Sequence, residues 1–176
     1  MATMDPTTIN IATTAPTSII YPLKTAWTLW AHFSDDKDWS ESSYHELYTF
    51  NDVRTAVALT RCLPEHVIRG SMLFIMRKGI KPTWEDPQNR DGGAFSYKIP
   101  VDSVQDAWRM MTYGLIGEVL VPTAVPNGIT ISPKRGFCVV KIWMSTCEQQ
   151  DPNSISVVHP SMRASDCMFK PHKPEY

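Results

Sequence analysis

Phe137-Cys-Val-Val-Lys141-Ile-Trp143-Met-Ser145 is the stretch on which the fold turns. Successive side chains of a strand point to opposite faces, so these residues divide into two sets. Cys138, Val140, Ile142 and Met144 form one set, wholly apolar and suited to meet helices. Phe137, Val139, Lys141 and Trp143 form the other, where a cation stands beside an indole. The division predicts a sheet with helices on one side and a ligand surface on the other. Shorter runs at 25–33, 45–50, 71–77, 95–99 and 128–131, each bounded by turn residues, supply the remaining strands. Residues 51–62 read as a helix with Val53, Ala56, Val57 and Thr60 on one face and a capping-box-like start from Thr49 and Asp52. Residues 103–116 read as a second helix, capped by Asp102 or Ser103. Its stripe is Val104, Ala107, Trp108, Met111 and Leu115. The fold class is α+β.

Composition narrows the function. The 176 residues are 43% hydrophobic and 20% charged, with a net charge of −1. That is a soluble globular chain without the global basic field that recruits nucleic acid, so any such contact is local. Cys62, Cys138, Cys147 and Cys167 form no CxxC pair and no zinc spacing, and read as reduced thiols of a cytoplasmic protein. No cofactor and no metal are expected. No apolar run approaches the ~20 residues of a membrane helix, and no secretory signal opens the chain. Residues 1–18, rich in Thr, Ala and Pro, read as a flexible tail. Residues 171–176 read as an irregular end, leaving 19–170 as the folded domain.

Lys81-Pro-Thr-Trp84-Glu85-Asp86 carries the chemistry. It sets a large flat aromatic beside a carboxylate on a proline-braced turn. Trp39 lies upstream in an acidic polar loop, where no core pattern asks for it. Two indoles and a carboxylate suit a flat cation with N–H donors along one edge. N7-methylated guanine is such a ligand, because methylation makes its ring positive. Gly92-Gly93 reads as a tight turn. The five histidines (His32, His45, His66, His159 and His172) are scattered and read as surface residues. No nucleophile–base pair is present. Glu85 and Asp86 could be imagined as the acid and base of a cap hydrolase, but neighbouring carboxylates on a turn diverge.

The order Tyr21-Pro-Leu-x3-Trp27-x2-Trp30, Trp39, Gly79-Ile80-x-Pro82-x-Trp84-Glu85-Asp86-x2-Asn89-x2-Gly92-Gly93, Trp108, Leu115-Ile116-Gly117-Glu118 and Ile142-Trp143 resembles the eukaryotic translation initiation factor 4E family, over roughly residues 20–148. The resemblance implies a single curved antiparallel sheet with helices on its convex face and an mRNA 5′ cap in its concave face. It implies that Trp39 and Trp84 sandwich the methylguanine, that Glu85 accepts from the base edge, and that Trp143 packs beside the methyl group. Lys134, Arg135 and Lys141 are the implied phosphate cations, and Lys141 has separate support from sharing Trp143's face. Trp27, Trp30 and Trp108 are read as core or back-surface residues. A scaffold-type initiation factor is the implied partner of the convex face, through Tyr21, Pro22, Phe50, Arg54, Met110, Tyr113 and Ile116.

Three departures qualify the resemblance. Arg54 stands where the family carries an anchoring Trp, and Met110 where it carries an acid. Ala94-Phe95 replaces a basic–aromatic pair. The C-terminal region is shortened, which implies a more open pocket able to take a bulkier cap. A cap-binding repressor or storage factor with a non-standard scaffold partner is the alternative to an initiation factor.

Overall fold

A computed structural model describes residues 20–172. Seven strands form one antiparallel sheet. They are β1 (Pro22–Phe33), β2 (His45–Asp52), β3 (Ser71–Arg77), β4 (Gly93–Pro100), β5 (Pro126–Lys134), β6 (Phe137–Met144) and β7 (Met168–Pro171), in the spatial order β2-β1-β3-β5-β6-β4-β7. Helices α1 (Val53–Cys62), α2 (Glu65–Gly70) and α3 (Val104–Ile116) pack on one side. No helix among these residues is long and apolar enough to cross a membrane.

The alternation of β6 divides the core as its sequence predicts. Cys138, Val140, Ile142 and Met144 join the main cluster with Trp108, Met111 and Leu115 of α3. Trp143 lies on the opposite face in a second, smaller cluster with Phe74, Met76 and Ile80. β1 divides likewise: Trp27, Leu29 and Ala31 face the helices, while Trp30 packs against the second cluster. Trp27 and Trp108 are therefore core residues, but Trp30 belongs to the open face rather than the back. Register shifts in the β1–β2 pairing between Pro22 and Trp27 and between Leu29 and Trp30 locally bend the strands.

Several local expectations change. Asp52 caps α1, accepting from the Thr55 amide (2.9 Å) and hydroxyl (2.6 Å), but Thr49 stays in β2 and bonds Thr28 across the strands. Val53 is exposed and Val57 half-buried, so Ala56 and Thr60 carry α1's inner face. Ser103 is the N-cap of α3 without a side-chain bond, because a 3-10 turn over Val101–Ser103 leads into the helix. α2 and β7 are additions. Pro171 belongs to β7 rather than to an irregular end, while 173–176, like the proposed tail at 1–18, fall outside the described residues. Gly92 is not in a left-handed turn. A Cβ there would lie 1.8 Å from the Met144 carbonyl oxygen, so close backbone approach is what demands glycine.

Candidate functional site

Two loops rise over the open face of the sheet. The first joins β1 to β2 and carries Trp39, 61% exposed. Asx-type bonds shape it: the Asp38 amide donates to Asp36 Oδ1 (2.9 Å), and the Ser40 amide donates to Asp38 Oδ1 (2.8 Å). Ser40's hydroxyl and amide hold the Asp38 carboxyl below the usual range. Behind the indole lies His32, only 2% exposed and stacked face to face at 4.2 Å and 8°.

The second loop joins β3 to β4 and carries Trp84, 50% exposed, and Glu85, also exposed. Gly79 opens it at φ 89°, a left-handed conformation that costs glycine nothing. Asn89, fully buried, ties the loop from inside. Its Nδ2 donates to the carbonyls of Lys81 (2.9 Å) and Thr83 (2.8 Å), and its Oδ1 accepts from Asn127 Nδ2 (3.0 Å). Asp86 braces the same turn, accepting from the amides of Lys81 (2.9 Å) and Gln88 (2.8 Å). The two neighbouring carboxylates thus differ in state. Asp86 is consumed by backbone amides, whereas the Glu85 carboxylate has no hydrogen-bond or ion-pair partner among the described residues.

The loops touch each other. Lys81 pairs with Glu41, which follows Trp39 on the first loop. Burial, and then the Glu85 carboxylate nearby, push the Tyr44 phenol above its usual value. Trp84 lines a cavity of about 240 Å³ with Trp143, Lys141, Lys170, Ser96 and His172. Trp39 lines a second, of about 210 Å³, with His32, Met72 and Lys134. Trp143 is fixed on the floor by its Nε1 donating to Thr130 Oγ1 at 2.6 Å.

The cations converge on the same face. Lys141 lies opposite Ser96 of β4, and Lys170 of β7 lies opposite Ala94. Burial first, then Lys134 and Lys170, push the Lys141 ammonium below its ordinary value. None of these three lysines has an acidic partner among the described residues, so the strip is an unneutralised positive surface. Arg135 sits at the exposed turn after β5. Sequence reasoning missed Lys170, because the strand that carries it was not foreseen. It also misplaced three histidines. His32 and His159 are buried, and His172 is half-buried, donating from Nδ1 to the Asn89 carbonyl (2.8 Å) and lying edge-on to Trp143 (4.6 Å). His45 and His66 are exposed as read.

On the helix side, Tyr21, Pro22, Arg54 and Met110 are exposed and Tyr113 is half-buried, its hydroxyl 3.1 Å from Thr60 Oγ1. Phe50 and Ile116 are buried in the main core, 4% and 6% exposed, beneath that surface.

Comparison with known proteins agrees with this architecture. The sequence profile of the family described as Eukaryotic initiation factor 4E matches residues 22–170. Eukaryotic translation initiation factor 4E-2 of Schizosaccharomyces pombe is 30% identical over 142 residues, 74% of this chain and 56% of that protein. Eukaryotic translation initiation factor 4E of Eremothecium gossypii is 27% identical over 140 residues, 73% of this chain and 64% of that protein. The chain thus matches a little over half to under two thirds of the length of these relatives. Among solved structures, Ascaris suum eIF4E-3 in complex with an m7G cap superposes with a TM-score of 0.75 at 19% identity, covering 89% of this chain and 94% of that one. Caenorhabditis elegans eIF4E-3 with the 4E-binding protein Mextli and a cap analogue gives 0.74 at 19% identity, covering 88% and 94%. At that identity the likeness concerns the fold.

Proposed function

The chain belongs to the eukaryotic initiation factor 4E family, and from that premise we propose that it binds the 7-methylguanosine cap of mRNA in translation initiation, holding the base between Trp39 and Trp84. The observation that carries the reading is the pair of loops. Each presents an exposed indole, Trp39 stacked on His32 and Trp84 on a loop tied from inside by Asn89, and Glu85 beside Trp84 has no hydrogen-bond or ion-pair partner among the described residues. The positive methylguanine ring gains stacking of ~1–3 kcal/mol and a cation–π contribution of ~2 kcal/mol or less from such plates. Glu85 accepts from the N1–H and amino group, a charge-assisted bond of ~1.5–3 kcal/mol. Trp143 forms the wall by the methyl group, and Lys134, Arg135 and Lys141 meet the triphosphate. The role is binding without catalysis: the Asp86 oxygens are engaged by backbone amides and offer no free base beside Glu85.

Tryptophan fluorescence titration with 7-methyl-GTP and with GTP tests this. Strong quenching by the first and weak quenching by the second is expected, and both responses should vanish in Trp84→Ala. An equal response to the two nucleotides, or none, refutes the reading.

The helix side favours a second element. Arg54 and Met110 are exposed, at the two positions where the sequence resemblance implies an anchoring Trp and an acid. A partner seated there meets a cation in place of an indole, so a non-standard scaffold partner, and with it repression or storage of messages, is the alternative role. Mass spectrometry of proteins retained by the wild type but not by Arg54→Glu distinguishes the two. Retention of the same scaffold by both removes the alternative.

A further inference from the structure

His172 lies past the residues 22–170 that the family profile matches, yet it stands at the site. It lines the cavity of about 240 Å³ shared by Trp84 and Trp143, and its ring meets Trp143 edge-on at 4.6 Å. Its amide donates to the Gly92 carbonyl (2.9 Å), which fixes the backbone where β7 ends. Nδ1 lies 2.8 Å from the Asn89 carbonyl oxygen, which can only accept, so Nδ1 carries the hydrogen. Asn89 in turn holds the carbonyls of Lys81 and Thr83, and Thr83 precedes Trp84. One imidazole therefore bridges the loop that carries one indole plate and the strand that carries the Trp143 wall.

A role in stability alone does not account for this ring. Nε2 is buried with no hydrogen-bond partner, a desolvated lone pair that a phenylalanine would not carry. Nor is the imidazole needed to satisfy Asn89, because the Gly92 amide also donates to the Asn89 carbonyl (2.9 Å). What the Nδ1 bond adds is a fixed distance between the Trp84 loop and Trp143.

Resting on the cap-binding reading above, we propose that His172 is a positioning residue of the site: donating to Asn89 while its edge rests on Trp143, it sets the gap between the Trp84 plate and the Trp143 wall. The pocket is then preorganised for the base. Without the bridge the second loop samples wider gaps, and the base must order it on binding. The action is on the base and not on the phosphates, although Lys141 and Lys170 line the same cavity.

Fluorescence titration of the full chain with 7-methyl-GTP and with 7-methylguanosine tests this in wild type, His172→Phe and His172→Asn. His172→Phe keeps a ring against Trp143 and removes the donor. Both ligands should lose affinity by the same factor, about five- to tenfold for one hydrogen bond, with the salt dependence unchanged. The melting temperature should stay close to wild type. His172→Asn returns an N–H near the place of Nδ1 and should recover most of the loss. Wild-type affinity in a folded His172→Phe protein overturns the proposal. So does a loss confined to 7-methyl-GTP, which would put His172 on the phosphate side, or a loss matched by a large drop in melting temperature. So does a His172→Asn protein that recovers nothing. If His172→Phe does not fold, His172→Ala takes its place, and failure of both overturns the proposal, since the residue would then hold the fold and not the site. Absence of wild-type binding to either ligand would instead dispose of the cap reading, and of this inference with it.

Discussion

Glu85 and Asp86 are adjacent, both acidic and both on the Trp84 turn, yet the chain uses them for opposite purposes. Asp86 accepts from two backbone amides of its own loop, so its charge is spent on holding a conformation. Glu85 has no hydrogen-bond or ion-pair partner among the described residues, though its charge is felt by the Tyr44 phenol. A carboxylate that folds a loop and one that waits for a ligand should separate under substitution. Asp86→Ala removes two charge-assisted bonds and should lower unfolding stability by about 1–3 kcal/mol, with a lower melting temperature in a thermal scan. Glu85→Gln keeps the shape and removes the charge, turning one acceptor into a donor that opposes the base edge. Its melting temperature should stay within a degree or two of wild type, while affinity for 7-methyl-GTP drops roughly ten- to a hundredfold. Equal affinity in Glu85→Gln would mean that the edge is read by another group.

At the scale of elements, the β4 start is the joint on which the site depends. Gly92 passes so close to β6 that a Cβ would meet the Met144 carbonyl at 1.8 Å, and Gly93 lies against Phe169 and the Lys170 carbonyl of β7. Backbone is what would have to move, so Gly92→Ala should cost more than 2 kcal/mol and shift the chemical denaturation midpoint without changing its slope. A midpoint within error of wild type would show that β4 and β6 can part cheaply. The same joint shows what sequence could and could not reveal. The eight-residue alternation of β6 and the stripe of α3 were readable, because burial on one face forces a period on a long element. α2 has six residues and β7 four, too few to display a period, and β7 exists because β4 offers it an edge. Asn89 stood in the motif, but its bonds to the Lys81 and Thr83 carbonyls need the loop to fold back on itself, and its bond to Asn127 reaches 38 residues along the chain, which no spacing announces. The histidines were misread for the same reason. A stack such as His32 on Trp39 depends on a loop folding back seven residues, and composition says nothing of it.

For the whole molecule, a net charge of −1 conceals a division of labour between its two sides. The carboxylates of Asp52 and Glu118 are held below their usual range, the first by the Thr55 hydroxyl and amide, the second chiefly by Lys24 and then Arg77. Groups depressed in the folded state add stability that is complete above their unfolded values, about 4, and lost as pH falls through the folded ones. Melting temperature should therefore hold steady from neutrality to pH ~5 and decline below ~4, and Asp52→Asn should flatten part of that decline. The open face is the reverse case. Lys134, Lys141 and Lys170 stand together with no acidic partner among the described residues, and burial and mutual repulsion already disfavour the charge on Lys141. Such a strip is costly unless a polyanion lies on it, and a polyanion that does so releases counterions. Affinity for 7-methyl-GTP should then fall on the order of 25- to 100-fold per decade of salt if two or three lysines engage, since each phosphate contact contributes a slope of about 0.7. Affinity for 7-methylguanosine, which lacks phosphates, should barely respond. Lys170→Ala should lower the 7-methyl-GTP slope by at most about 0.7 and leave the nucleoside's affinity unchanged. An unaltered slope would mean that β7 holds its lysine out of reach of the phosphates, and that Lys134 and Lys141 meet them alone.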